Sequence, residues 1–427
     1  MSKLQELINK LCPNGVEFKP LGEVFEMRNG YTPSKNNPDF WEGGTIPWFR
    51  MDDIRENGRI LSDSIQHITP SAIKGKGLFE ANSFILATTA TIGEHALIIA
   101  DSLANQQFTN LKVRKSLSNL LVTKFIYYYM FIVDDFCKRN TNVSGFASVD
   151  MDKLKKMPFP VPPIEVQEEI VRILDSFSDY AAELQAELQA RKQQYEYYRN
   201  LLLTFNPSAY GCGTDDEQKD GVTTWAGHNY KIEWKKLGEI CNRICSGGTP
   251  TTSNKSFYNG SIPWLRTQEV NWSDVYDTEI KISEEAVKKS SAKLIPSNCV
   301  IIAMYGATAA KVCINRIPLT TNQACCNLEI NPQLASYKYV YYWLCNSYEK
   351  LKSMGEGSQN NINGMKIKQY PIPIPPLELQ EKIVAILDRF ETLINDLTNG
   401  LPAEIAAVKD QYEYYRNKLL TFKKLSA

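Results

Sequence analysis

No run of apolar residues in this 427-residue chain approaches the roughly 18 needed to cross a bilayer. The opening MSKLQELINKL is amphipathic and lacks the apolar core and small-residue cleavage site of a secretory signal. A cytoplasmic protein without membrane attachment is expected. Histidine is scarce: His67, His95 and His228 are the only three, none at metal-ligand spacing, and Cys241 with Cys245 lacks a second cysteine pair. Gly75-Lys76-Gly77 lacks the upstream glycine and the Ser/Thr of a phosphate-binding loop. Asn37-Pro38-Asp39, Asn206-Pro207-Ser208 and Asn331-Pro332-Gln333 do not supply the Asn/Asp-Pro-Pro-aromatic loop with which amino-methyltransferases hold a target amine. No nucleophile–base pairing recurs along the chain. A noncatalytic protein is expected, with no metal and no cofactor of its own.

Net charge is also absent, with 48 basic and 48 acidic residues. Segment by segment it is +2 over 1–160, −4 over 161–210, +3 over 211–370 and −1 over 371–427. That double alternation is the first sign of duplication. Cysteines are uneven: Cys12 and Cys137 stand against Cys212, Cys241, Cys245, Cys299, Cys313, Cys325, Cys326 and Cys345. A disulfide framework would recur in both halves, so free thiols are expected.

The repeat itself is plain. KPLGEV (19–24) returns as KKLGEI (235–240), GYTP (30–33) as GGTP (247–250), and IPWFR (46–50) as IPWLR (262–266). NQQFTNLKV (105–113) returns as NQACCNLEI (322–330), and KFIYYY (124–129) as KYVYYW (338–343). PFPVPPIEVQEEIVRILDSF (158–177) returns as PIPIPPLELQEKIVAILDRF (371–390), and QYEYYRN (194–200) recurs unchanged at 411–417. The order is kept and the offset stays between 213 and 217, so the chain is a tandem duplication.

Each half has two parts. Short β-rich runs such as FILATT (84–89) and CVIIAMY (299–305), with helical patterns near 123–138 and 336–351, predict a compact α+β domain. The Pro-apolar alternation that follows suits an extended lead-in, and Pro163 or Pro376 fits a helix start. Beyond it Phe177, Ala181, Leu184, Leu188, Arg191, Tyr195, Tyr198, Leu202 and Phe205 step by 4 and 3, a coiled-coil seam apolar except at Arg191. The second copy continues from Ile383, Leu387, Phe390 and Ile394 to Tyr412, Tyr415, Leu419 and Phe422. Asp175 to Tyr195 spans 20 residues and Asp388 to Tyr412 spans 24. The extra four fall near Gly400-Leu401-Pro402, where a stutter with a bend or break in the helix is predicted. The expected architecture is two similar α+β domains separated by two long antiparallel helices under a pseudo-two-fold repeat. Its segments are 1–157, the spacer 158–210, 211–370, and the spacer 371–427.

Two similar domains at a set separation suit a ligand with two sites, and duplex DNA is one. Candidate DNA contacts in the first copy are Arg50, Lys74, Lys76, Arg139 and Asn140. In the second they are Arg266, Lys288, Lys289, Lys293, Gln359, Asn360 and Asn361. Arg, Lys, Asn and Gln read base edges, and Lys also takes phosphates. These polar loops differ between copies while their flanks match, as two half-sites would require. Plainer roles compete: a solvated face for the lysines, and buried hydrogen bonds for Asn105-Gln106 and Asn322-Gln323. Trp48 and Trp264 are expected in the core, and GYTP and GGTP in tight turns. The QYEYYRN aromatics are expected to pack helix ends against a globular domain or a partner. Tyr195, Tyr198, Arg199, Tyr412, Tyr415 and Arg416 are the partner-interface candidates.

The duplicated KPLGEV–GYTP–IPW–NQ blocks, each followed by PxPxPP–xxxQExIVxxLD and QYEYYRN, resemble the DNA-specificity subunit of type I restriction-modification enzymes over essentially the whole chain. The resemblance implies two target-recognition domains reading a bipartite double-stranded DNA site across a nonspecific gap. It also implies two modification subunits, which methylate adenine with S-adenosylmethionine, and restriction subunits that use ATP and Mg. Two alternatives stand beside it. One is the specificity subunit of a related system that cuts on both sides of its site. The other is a coiled-coil scaffold whose globular ends bind proteins.

Overall fold

The computed structural model describes residues 3–75, 77–142, 147–205, 221–225, 228–355, 361–396 and 398–425. The chain divides into two compact units, Met1–Gln185 with Glu404–Ala427, and Ala186–Ala403. Among the described residues no helix is long and apolar enough to cross a membrane.

In the first unit a five-stranded sheet has the order Phe25–Asn29, Phe108–Val113, Ser83–Ala87, His95–Ile98, Ile60–Leu61. Its neighbours are antiparallel except the last pair, which is parallel. The central strand Ser83–Ala87 is buried along its whole length, so both faces of the sheet must be covered. Alternation sorts its side chains. Phe84 and Leu86 join Phe125, Tyr129 and Val133 of the helix Thr123–Arg139, while Ile85 and Ala87 join Trp48, Phe49 and Ile98. The second face is closed by a small sheet of His67–Ile68, Ile46–Phe49 and Leu103–Ala104.

The second unit repeats this order. Its large sheet runs Cys241–Ser246, Cys325–Ile330, Val300–Ala303, Val312–Asn315, Asp274–Val275, and its small one Lys281–Ile282, Ile262–Leu265, Thr320–Thr321. The predicted helix near 336–351 is two helices, Tyr337–Asn346 and Tyr348–Ser353. Trp48 and Trp264 are core residues, 2% and 5% exposed, each donating its indole N–H to a backbone oxygen, that of Tyr31 or Gly248. The described cysteines are free thiols, and Cys212 lies outside the described residues. Burial pushes Cys137 and Cys299 up to about 12, which leaves them inert as nucleophiles.

The proline-rich lead-ins are strands. Pro158–Val161 pairs antiparallel with Glu17–Pro20, and Pro371–Ile374 with the end of His228–Lys236. Proline is tolerated there because these strands lie at sheet edges. The helix Ile164–Leu203 follows, 40 residues or about 60 Å. Its second-copy counterpart breaks into Leu377–Asn395 and Leu401–Leu419. Asp396 ends the first piece, its carboxylate accepting from the N–H groups of Thr398 and Asn399. Gly400 closes the break, since a Cβ there would lie 2.6 Å from the carbonyl of Thr392. Within the first unit, Phe177 stacks on Tyr415 and Tyr180 donates to Glu404, so the two spacer segments run antiparallel. Leu184 and Leu188 are buried as the seam requires, but near the helix end Leu203 rather than Leu202 turns inward. A straight helix at 3.6 residues per turn drifts off a 3.5-residue seam.

One joint ties each spacer helix to its globular domain, and both copies build it alike. The fully buried Gln167 accepts from the N–H of Val122 at 2.8 Å and donates to the carbonyls of Leu120 and Pro162. Gln380 does the same with Ser336, Leu334 and Pro375. About two turns further along, Asp175 accepts from Tyr128 and Lys124, and Asp388 from Tyr342 and Lys338.

Candidate nucleic-acid interface

Several loops gather into a platform at one end of the large sheet's central strands. The turn Asn105-Gln106-Gln107 precedes the strand Phe108–Val113, and the N–H of Asn105 bonds the carbonyl of Phe49, which sets Arg50 beside it. Thr88, just past the central strand, donates its N–H to Gln107 and accepts from Val149. Val149 pairs with Thr141 in the short hairpin that follows Arg139 and Asn140. On the other side the N–H of Tyr31 bonds Ala104, while the Tyr31 hydroxyl donates to Ala72 and accepts from the N–H of Lys74. The second unit places the same pieces together. Asn322 bonds Leu265, Met304 bonds Ala324, Ile362 bonds Met304, and Gly248 bonds Thr321.

GYTP and GGTP are not tight turns. Gly30 and Gly247 sit where the chain runs against a backbone: a Cβ on Gly30 would lie 2.3 Å from the carbonyl of Ala104, and one on Gly247 2.1 Å from that of Thr321. Their N–H groups are spent on the carbonyls of Phe108 and Cys325, so these segments are no phosphate cradle.

The candidates fall into three groups. Arg50 and Arg266 occupy equivalent places, each at the N-cap of a short helix whose third residue reaches back. Asp53, fully buried, accepts from the N–H groups of Arg50 and Ile65 at 2.6 Å, and Glu269 accepts from Arg266 and Glu279. The Arg50 guanidinium lies 3.9 Å from Asp52, whereas that of Arg266 is held by Glu269 and Glu279. Exposed Lys74 stands at the platform, as do Arg139 and Asn140. Asn140 also caps its helix, donating to the carbonyl of Phe136. Asn361 adjoins Ile362, and its Oδ1 is buried without a partner among the described residues. Lys288 and Lys289 form the second group: they pair with Glu284 and Glu285 one turn back, a self-neutralised solvated face. Lys293 is exposed near Gly248, whose position is crowded by Ser291 and Ala292. Lys76, Gln359 and Asn360 lie outside the described residues.

The QYEYYRN residues form the third group and pack within their own units. Tyr195 is buried against Phe390, Tyr198 stacks on Phe390, and Arg199 donates to Asn346. Tyr412 meets Tyr128, Tyr415 stacks on Phe177, and Arg416 lies over Phe131. Burial raises Tyr195 above the usual phenol range. Each helix end is thus buttressed by aromatic contact, while Tyr197 and Tyr414 between them remain exposed.

Sequence reasoning missed the Gln167/Gln380 and Asp175/Asp388 joints. Their signal was present, since these polar residues are identical in both copies at the start of each spacer helix.

The family model for the type I restriction modification DNA specificity domain matches twice, at residues 13–191 and 230–407. The type I restriction enzyme EcoR124I/EcoR124II specificity subunit of Escherichia coli is 32% identical over 99% of this chain and 98% of its own length. The EcoprrI specificity subunit of Escherichia coli is 52% identical over 216 residues, and this match spans 48% of the chain and 54% of that relative. Among solved structures, one described for complex assembly and conformational transition of the type I R-M system has a TM-score of 0.63 at 17% identity, over 96% of this chain and 98% of that one. The HsdS subunit of Thermoanaerobacter tengcongensis gives 0.56 at 16% identity, over 96% and 97%, which shows a common fold. With a DNA specificity domain matched in each half and a relative alike from end to end, the chain belongs to the family of type I restriction-modification DNA specificity subunits.

Proposed function

We propose that this chain is the noncatalytic sequence reader of a cytoplasmic type I restriction-modification complex. Each globular domain takes one half of a bipartite double-stranded DNA site. Two modification subunits join it and methylate adenine with S-adenosylmethionine, and restriction subunits supply ATP- and Mg-dependent cleavage. The observation that carries this reading is a platform built twice on the same backbone bonds but dressed with different loops: Lys74, Arg139 and Asn140 in one copy, Lys293 and Asn361 in the other. A common scaffold with exchanged side chains suits two base sequences on one kind of duplex. The test exchanges residues 15–157 for the matching segment of another family member and maps methylated adenines in cells carrying the full complex. One half of the methylated motif should change and the other stay. Loss of both halves would remove the one-domain, one-half-site reading.

A further inference from the structure

Each platform carries an exposed feature that the duplication left unchanged. Gln106 and Gln323 are exposed, and each accepts through Oε1 a hydrogen bond from a threonine hydroxyl, Thr32 or Thr249. An amide whose oxygen is so engaged presents its Nε2, a donor of two hydrogens, to the outside. Among the described residues neither Nε2 has an acceptor. The clasp is stiff: Gly30 and Gly247 press against the neighbouring strand, and Pro33 and Pro250 restrict the chain just beyond each threonine.

Folding alone does not account for both copies of this turn. In the first, Asn105 accepts from the N–H of Gln107 and donates to its side chain. In the second, Ala324 replaces Gln107, and the Oδ1 of Asn322 is buried with no partner among the described residues. The Asn-Gln pair persists although its local support is gone. Around it the exposed loop side chains such as Lys74 and Arg139 are exchanged, while Arg50 and Arg266 are kept, each beside carboxylates of its own domain.

If the two domains read different bases, an exposed group identical in both meets whatever the half-sites share. In duplex DNA that is the sugar-phosphate backbone, whose oxygens only accept. We propose that the Thr32–Gln106 and Thr249–Gln323 clasps donate to the DNA backbone, one at each half-site, and set the register in which the unlike loops meet the bases. This rests on the assignment of both domains as DNA readers. Because the donor is uncharged, the contact releases no counterion, which separates it from any lysine or arginine at a phosphate.

The experiment uses the complex assembled with its modification subunits and two duplexes, one carrying the motif found by methylation mapping and one with that motif scrambled. Gln106→Ala and Gln323→Ala should each weaken binding to both duplexes by the same factor, about three- to tenfold for one net hydrogen bond. The slope of log affinity against log salt should stay as in the wild type, and the methylated motif should not change. Thr32→Val and Thr249→Val should follow in the same direction. Weakened binding to the cognate duplex alone would make the glutamines base readers and overturn the proposal. So would unchanged binding to both duplexes, or a shallower salt slope. A wild-type complex unable to tell the two duplexes apart would instead overturn the assignment of the domains as DNA readers.

Discussion

At the first joint the hydroxyl of Tyr128 donates to Asp175 and lies beside Ser178; at the second, Tyr342 donates to both Asp388 and Glu391. Glu391 stands where the first copy has Ser178. The shared atoms, Gln, Asp, Tyr and Lys, set where the helix leaves the domain. The unshared carboxylate adds charge to a cavity of about 480 Å³ lined by Trp272, Asp274, Arg316 and Asp388. Burial drives Glu391 up to about 7 against the opposing Tyr342 hydroxyl, with Asp388 and Asp274 adding repulsion. Duplication kept the geometry of the joint and relaxed what surrounds it. Packing that orients a domain is less replaceable than a side chain beside it.

The largest effect expected from breaking this comparison comes from Gln167→Ala and Gln380→Ala. Each strips a buried N–H and two carbonyls of their partner, a loss of about 3 kcal/mol. The losses should agree within about 1 kcal/mol, read as denaturant-unfolding midpoints from protease protection of fragments of each unit. Clearly unequal losses would show that the joints are not equivalent.

A smaller effect should separate the joints by pH. A carboxyl raised above its unfolded value of 4.5 contributes stability that is complete below 4.5 and lost as pH rises through about 7. The second unit should therefore weaken over that window. Glu391→Gln should remove the weakening and stabilise the protein at pH of about 8 by about 1 kcal/mol, the site being partly open to water. At pH of about 5 the variant should differ little, and Ser178→Gln should introduce no such pH dependence. A Glu391→Gln variant that melts like the wild type at both pH values would place the charge elsewhere.

The smallest cost in stability belongs to a change of spacer length. One more AELQ unit after Gln189 adds a turn plus about 40° and about 6 Å of helix, and should alter stability by less than about 0.5 kcal/mol because a four-residue stutter keeps the apolar face. At 3.4 Å per base pair, and with part of the shift absorbed by coiled-coil unwinding and DNA bending, the methylated motif should keep both halves and widen its gap by about one base pair, two at most. An unchanged gap would mean that this helix does not set it.

Much was legible in the chain because its cues are local or periodic. The duplication, the buried strands around 84–89 and 299–305, the spacer seam and the break at Gly400 all rest on spacing or on residue types with one physical use. Trp48 and Trp264 were legible as core anchors because each follows Ile-Pro at a strand start. The two glycines were not. A glycine that escapes a clash with a strand from elsewhere in the chain looks, in one dimension, like a glycine that turns. Tyr195 and Tyr198 likewise share one motif, yet one is buried and the other stacks at the edge of exposure.

The amino-acid order by itself determined two copies of an α+β domain, a helix after each, and the residue types available at their loops, since repeats and hydrophobic periods are properties of neighbouring residues. Only the tertiary structure decided that Gln106 would be clasped by Thr32, 74 residues away, that Gln167 would lock a turn 45 residues upstream, and that Asp175 would take the hydroxyl of Tyr128, 47 residues upstream. Those outcomes depend on which backbone carbonyls and carboxylates arrive beside a side chain when distant strands close into a sheet, and no local pattern encodes that arrival.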